Sequence, residues 1–153
     1  MPRPPVVCVI VGMTPSEIYL IRKSFASLSR HEHVAALVFY RRLFELDPGL
    51  RALFKGDIEA QARKLLDMLA ALLSLLEKPH GLEVELREMG ARHAGYGVRT
   101  ADYETVGRAL LDMLDETLDE EFPPATRAAW TSLYGVVQAT MLEGAAGRTP
   151  AAI

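Results

Sequence analysis

The sequence lacks most of the features that would mark an exported, membrane-spanning or nucleic-acid-binding protein. Its single cysteine, Cys8, excludes an internal disulfide and cannot form a thiolate metal site alone. No apolar run approaches the roughly 20 residues that a membrane helix needs. The 17 Lys and Arg residues against 20 Asp and Glu residues give a net charge of -3, which excludes a strongly basic nucleic-acid-binding protein. The 50% hydrophobic content at this low net charge excludes a disordered chain.

What is present fits one globular domain of 153 residues, preceded by a segment of different character. Residues 1–12 contain a short β-branched run that ends at Gly12, directly before Met13. This run is too short for a membrane span and lacks the cleavage site of a signal peptide. We therefore expect residues 1–13 to be a disordered extension or a start-site artefact, residues 14–146 to form the domain, and residues 147–153 to be a loose tail. In the absence of a targeting signal we expect a cytoplasmic protein.

From Thr14 onward the spacing of apolar residues is helical, and no later stretch alternates with the period of a strand. The pattern predicts helices over residues 15–28, 32–46, 57–77 and 82–93, a short helical turn after Asp47-Pro48, and two further helices separated by Phe122-Pro123-Pro124. Leu37 and Tyr40 are predicted to face inward on the second of these. Gly144 and Gly147 are predicted to end the last helix. The sequence thus indicates an all-α domain of six or seven obliquely packed helices.

Conventional catalytic motifs are absent, so the chemistry must come from isolated polar residues. His31 and His33 lie two residues apart, which points them in different directions on a helix and favours a solvated helix start over a zinc site. Tyr40, Gln61 and His93 fall on the inner faces of three different helices. Each of the three can also be interpreted as an ordinary core residue whose polar group has a hydrogen-bond partner. Together they are also consistent with a polar spot inside an apolar cavity.

The sequence resembles the globins, and in particular the bacterial single-domain globins that are similar to the haem domain of flavohaemoglobins. The resemblance spans residues 14–141 and rests on motifs in order and at matching spacing. These are Phe39-Tyr40, Leu43-Phe44, Asp47-Pro48, Leu53-Phe54, Gln61, Arg63-Lys64-Leu65, Gly90-Ala91-Arg92-His93, Tyr96-Gly97-Val98, Tyr103, Val106-Gly107, Ala129-Trp130 and Tyr134-Gly135-Val136. The resemblance implies a globin fold that encloses haem b.

The resemblance also implies roles for individual residues. His93 matches the proximal histidine that binds the haem iron, and Tyr40 and Gln61 match the distal pair that donates hydrogen bonds to a diatomic ligand. With Gln61 in place of a distal histidine, it implies five-coordinate ferrous iron. Lys64 and Arg92 are placed where they could reach the haem propionates. The remaining expected haem contacts are Phe54, Leu65, Met89, Val98, Tyr103 and Val106, whereas Trp130 and Tyr134 are expected to be core packing residues.

One position departs from the flavohaemoglobin pattern. That pattern pairs Tyr103 with a glutamate on the last helix, and the matching position here is Ala145, with Glu143 two residues away. Without that carboxylate, we expect His93 to donate its second N–H to a backbone carbonyl. The departure argues against a strongly activated, peroxidase-like iron.

The resemblance implies two main functions. In the first, the haem protein binds O2 and converts NO to nitrate, and a separate flavin or NAD(P)H reductase restores the iron. In the second, the protein only binds, stores or senses O2. A haem-free interaction domain is a third reading, but it leaves Tyr40, Gln61 and His93 unexplained. The sequence predicts neither nucleic-acid nor membrane partners, and it leaves monomer and homodimer open.

Overall fold

The computed structural model describes residues 13–54 and 56–147, and within them the chain forms six α-helices and two 3-10 helices. The all-α prediction is confirmed. The predictions for residues 1–12 and for the tail after Gly147 lie outside the described residues. The α-helices are α1 Pro15–Ser29, α2 Glu32–Leu46, α3 Ile58–Ser74, α4 Pro79–Gly95, α5 Thr100–Leu118 and α6 Pro124–Gly147, with 3-10 helices at Pro48–Leu53 and Asp119–Glu121.

Local side-chain caps explain where several helices begin. Thr14 Oγ1 accepts a hydrogen bond from the backbone N–H of Glu17, and the Glu17 carboxylate accepts one from the N–H of Thr14, forming a capping box at α1. Asp57 caps α3 by accepting from the N–H of Glu59. Asp47 caps the first 3-10 helix in the same way, through the N–H of Gly49. These acceptors satisfy backbone donors that have no partner within the helix.

Two predicted helix boundaries are wrong, and a third is confirmed in part. The helix predicted from Leu82 begins at Pro79, because a proline at the first helical position needs no N–H partner and already has a helical φ. The helix predicted to reach Glu77 ends at Ser74. The last helix ends at Gly147 as predicted, but Gly144, which was also predicted to end it, is buried within the helix, where close packing on α4 requires a residue without a side chain.

The helices pack around one core, in which α6 lies across α4 and α2 lies across α5. Trp130 is 1% exposed, and its indole N–H donates to the Ser24 hydroxyl at 2.8 Å, which ties α6 to α1. The prediction that Leu37 faces inward is wrong: Leu37 is 46% exposed, and its neighbours Ala36 and Phe39 are buried instead.

Within residues 13–54 and 56–147, no helix is both long enough and apolar enough to cross a bilayer.

Candidate functional site

A cavity of about 590 Å³ opens between α2, α3, α4, α5 and α6. Its walls are mostly leucine, methionine, valine and aromatic side chains. A volume of this size is within the range of pockets that hold cofactors and small ligands. The few polar groups on its walls therefore determine what it can bind.

The structure brings together the residues predicted from the sequence, with one exception. The cavity is lined by Tyr40, Phe54, Gln61, Lys64, Leu65, Met89, His93, Val98, Tyr103 and Val106. Arg92 does not line it. The Arg92 guanidinium is exposed and lies 3.7 Å from the Glu85 carboxylate, because α4 turns this residue away from the face that carries His93.

His93 is held in a defined orientation by its own helix. Its Nδ1 lies 2.7 Å from the carbonyl oxygen of Met89, one turn earlier in α4. Because a carbonyl only accepts hydrogen bonds, Nδ1 must carry the proton, and Nε2 keeps the lone pair that can bind a metal. The expected contact with a backbone carbonyl is therefore present. On its outer side the imidazole neighbours the ring of Tyr96, with ring centroids 6.2 Å apart.

Tyr40 lies in an aromatic cluster on the side of the cavity that α2 and α3 form. It is 4% exposed, and the edges of Phe39 and Phe54 contact it at centroid distances of 5.0 and 5.2 Å. Burial raises the pKa of the Tyr40 phenol to about 12, so the hydroxyl stays protonated and can donate a hydrogen bond at neutral pH. Gln61, half-buried at the start of α3, contributes its amide to the same cavity.

Tyr103 and Tyr134 form a second polar pair on the side of α5 and α6. The Tyr134 hydroxyl donates to the backbone carbonyl of Tyr103 at 2.5 Å, and burial raises the pKa of both phenols. The Tyr103 hydroxyl is buried without a hydrogen-bond partner among the described residues. A buried hydroxyl left unpaired costs about 1–3 kcal/mol, so an occupant of the cavity that offers an acceptor would be favoured there.

Glu143 is the acid nearest in sequence to the position of the flavohaemoglobin glutamate. Its carboxylate accepts a hydrogen bond from the Arg87 guanidinium at 2.9 Å, which joins α6 to α4. The expectation for Trp130 and Tyr134 is met in part: both pack in the core, and both also border the cavity.

Sequence reasoning missed Asp102, a buried carboxylate on the cavity wall. Burial raises the pKa of this carboxyl, but hydrogen bonds from the Arg99 backbone N–H and guanidinium outweigh burial and hold the pKa below its usual range. Its position in the first turn of α5 gave the signal for a helix cap, and only the tertiary structure shows that the cap also borders the cavity.

Haem is a group that fits this set of residues. The apolar walls would accommodate an apolar macrocycle, Nε2 of His93 would be a ligand for its iron, and Lys64 would offer a cation to its carboxylates. The unpaired Tyr103 hydroxyl is also consistent with a cavity shaped for an occupant.

Comparison with known proteins agrees with this fit. The model of the family described as Globin matches residues 37–141. The chain belongs to the globin family. Membership of the globin family implies that the chain binds haem and that it binds O2 as a ligand. Among curated globin relatives, zebrafish (Danio rerio) neuroglobin is 33% identical over 82% of this chain and 87% of its own length. Neuroglobin-1 of Oncorhynchus mykiss is 32% identical over 86% of this chain and 92% of its own length.

Two solved structures share the fold. One is a hexacoordinated haem protein from an anhydrobiotic tardigrade, with a TM-score of 0.79, 17% identity, and coverage of 88% of this chain and 96% of that chain. The other is an engineered carbene transferase from Rhodothermus marinus, assigned as a nitric oxide dioxygenase, with a TM-score of 0.76, 27% identity, and coverage of 88% and 94%. The globin prediction is thus confirmed at the level of the family, with vertebrate as well as bacterial relatives.

Proposed function

We propose that this globin binds haem b through His93 as the one protein ligand, binds O2 beside Tyr40 and Gln61, and oxidises NO to nitrate with electrons from a flavin or NAD(P)H reductase outside these 153 residues. The observation that carries the proposal is the shared cavity: one oriented imidazole, one neutral buried phenol and one amide line the same apolar space. The similarity to the Rhodothermus marinus protein supports the NO chemistry.

Within this proposal the protein residues have distinct tasks. The Met89 carbonyl holds the proton on Nδ1 of His93 and leaves Nε2 free to bind a metal. Tyr40 and Gln61 donate hydrogen bonds toward an electronegative ligand, each worth roughly 1.5–3 kcal/mol when the acceptor carries charge. The aromatic cluster of Phe39, Phe54 and Tyr40 excludes water from that space. The haem, when bound, supplies the iron position at which O2 and NO react.

The histidine content of the cavity walls supports a single protein ligand. In the described part of the chain, His93 is the one histidine that lines the cavity. By the resemblance, Gln61 takes the place of a distal histidine, and an amide is a poor ligand for ferrous iron. We therefore propose five-coordinate ferrous iron.

The second candidate function is O2 binding without catalysis, for storage or sensing. It uses the same donors and needs no reductase, and the high pKa of Tyr40 supports it equally well, because a protonated phenol retains O2.

Turnover distinguishes the two functions. One NO, one O2 and one electron give one nitrate, so a catalytic protein supplied with NADH and a flavin reductase forms two nitrates per NADH. We expect nitrate to exceed the protein concentration many times. One nitrate per protein with no further turnover favours O2 binding alone. A chain that shows no Soret absorption band after mixing with haem contradicts both functions.

A further inference from the structure

At two points the helix that carries His93 meets α6 through backbone atoms with no side chain between them. A methyl group built on Gly90 in α4 would lie 1.8 Å from the carbonyl oxygen of Met141 in α6. A methyl group on Gly144 in α6 would lie 2.0 Å from the carbonyl oxygen of Arg87 in α4. Real side chains do not approach backbone atoms this closely, so both positions require glycine for the two helices to cross as they do.

The two contacts form a reciprocal pair. Each glycine lies against the backbone of the other helix, and the side chains of Met89 and Met141 next to the crossing both line the cavity. The ion pair between Arg87 and Glu143 spans the same two helices. Glycine in the interior of a helix is less favourable than alanine, so its presence at Gly90 needs a reason from packing.

Gly90 is directly connected to the orientation of His93. The carbonyl that accepts from His93 Nδ1 belongs to the peptide unit that joins Met89 to Gly90. One end of this peptide unit therefore holds the imidazole, and the other end rests on the backbone of α6 at Met141. No side chain lies between this peptide unit and the backbone of α6, so no change of rotamer can compensate for a movement of one helix against the other. A displacement of α4 from α6 must distort this peptide or carry the imidazole with it.

We propose that Gly90 is a positioning residue for the haem ligand: through its backbone contact with Met141 it sets where His93 stands in the cavity. The proposal rests on the haem-binding part of the proposed function and not on the NO chemistry. Gly90 itself touches no substrate and lines no part of the cavity. Its effect passes through the Met89 carbonyl and the placement of α4.

The test compares three alanine variants with the wild-type chain. In Gly90→Ala the new methyl group must push α4 from α6 by about an ångström or more. Gly135→Ala makes the same chemical change in α6 at a position with open space around it and is the matched control. Leu114→Ala removes a buried side chain of α5 that does not line the cavity, and it controls for a simple loss of stability.

The first readout uses the haem-free chain. The ring-nitrogen NMR signals of His93 report its tautomer and surroundings, and denaturant unfolding reports stability. We expect the signals to shift in Gly90→Ala and to stay in place in Gly135→Ala and Leu114→Ala. Unchanged His93 signals in Gly90→Ala, with stability lowered as in Leu114→Ala, would overturn the proposal.

The second readout uses the haem-loaded chain. We expect haem to dissociate from Gly90→Ala about 10- to 100-fold faster, with a shifted iron–imidazole stretching frequency, because groups that orient a metal ligand have effects of this size. Wild-type values in a folded Gly90→Ala would contradict the proposal. If wild-type protein binds no haem, the proposed function fails, while the His93 signals of the haem-free chain still decide the role of Gly90.

If Gly90→Ala does not fold, the Gly144→Ala variant tests the positioning role instead. It widens the same crossing at Arg87, farther from the peptide that holds His93. A folded Gly144→Ala with shifted His93 signals supports the positioning role, and one with wild-type signals overturns it.

Discussion

The two walls of the cavity are built on opposite principles. The wall of α2 and α3 presents functional side chains directly, with Tyr40 wedged among aromatic rings and Gln61 beside it. The wall of α4 and α6 presents one functional side chain, His93, whose position depends on places where side chains are missing. The first wall tolerates side-chain adjustment because rotamers can repack. The second does not, because backbone meets backbone.

The largest effect is expected on the second wall. Replacing His93 with alanine removes the one histidine on the cavity walls of the described chain, so we expect stable haem retention to be abolished. Haem titration followed by gel filtration and the Soret band measures this. His80→Ala, at the exposed start of α4, is the control and should retain haem. Full retention by His93→Ala would show that another residue binds the iron.

The next largest effect is expected on the first wall. Tyr40→Phe removes one donor from the cavity and leaves the aromatic packing in place. We expect the O2 dissociation rate, measured by stopped flow, to rise about tenfold or more. Tyr19→Phe, on the exposed face of α1, should leave the rate unchanged. An unchanged rate in Tyr40→Phe would mean that its hydroxyl points away from the ligand.

A smaller effect is expected on stability, and it distinguishes Tyr103 in α5 from Tyr134 in α6. Tyr134→Phe removes the hydrogen bond to the Tyr103 carbonyl, and we expect the free energy of unfolding of the haem-free chain to fall by about 0.5–1.5 kcal/mol. Tyr103→Phe removes a hydroxyl without a partner among the described residues and should leave that stability equal or higher. Urea unfolding of both variants checks the difference. Equal losses would contradict the assignment of Tyr103 as unpaired.

The smallest effect concerns acid stability. The pKa of Asp102 is lower in the folded chain than its ordinary value, so the folded chain binds fewer protons at this site than the unfolded chain. The stabilising contribution is present above the ordinary pKa and is lost as the pH falls through the folded value, below about pH 4. We expect Asp102→Asn to lower stability by on the order of 1 kcal/mol at pH 7 and to flatten this acid-dependent part. The difference in the free energy of unfolding between wild type and variant should be smaller at pH 3 than at pH 7, and an equal difference at both pH values would contradict the contribution.

The sequence predicted the first wall better than the second. The helical spacing of Tyr40 and Gln61 placed two polar side chains on inner faces, and the structure finds both in the cavity. The prediction for Leu37 was wrong because an apolar residue at the edge of a helical stripe can face solvent, and only tertiary packing decides whether it is buried.

The second wall was harder to predict because its decisive feature is the absence of side chains. Gly144 was interpreted as the end of a helix, which is the usual meaning of a glycine near a C-terminus, although it is a contact point within one. Outside the two walls, Asp102 on α5 was not predicted as a cavity residue. Arg92 was expected to reach the haem propionates because it is next to His93 in sequence, but adjacent helical residues point about 100° apart, and its guanidinium lies beside Glu85, outside the cavity lining.

The most direct test of the central claim is the absorption spectrum of the ferrous, ligand-free protein after haem is added to the purified chain. The account predicts a Soret band and the single broad visible band of five-coordinate, high-spin iron, both lost in His93→Ala. Sharp, split visible bands of six-coordinate, low-spin iron would contradict the single protein ligand. The absence of any Soret band would contradict haem binding itself.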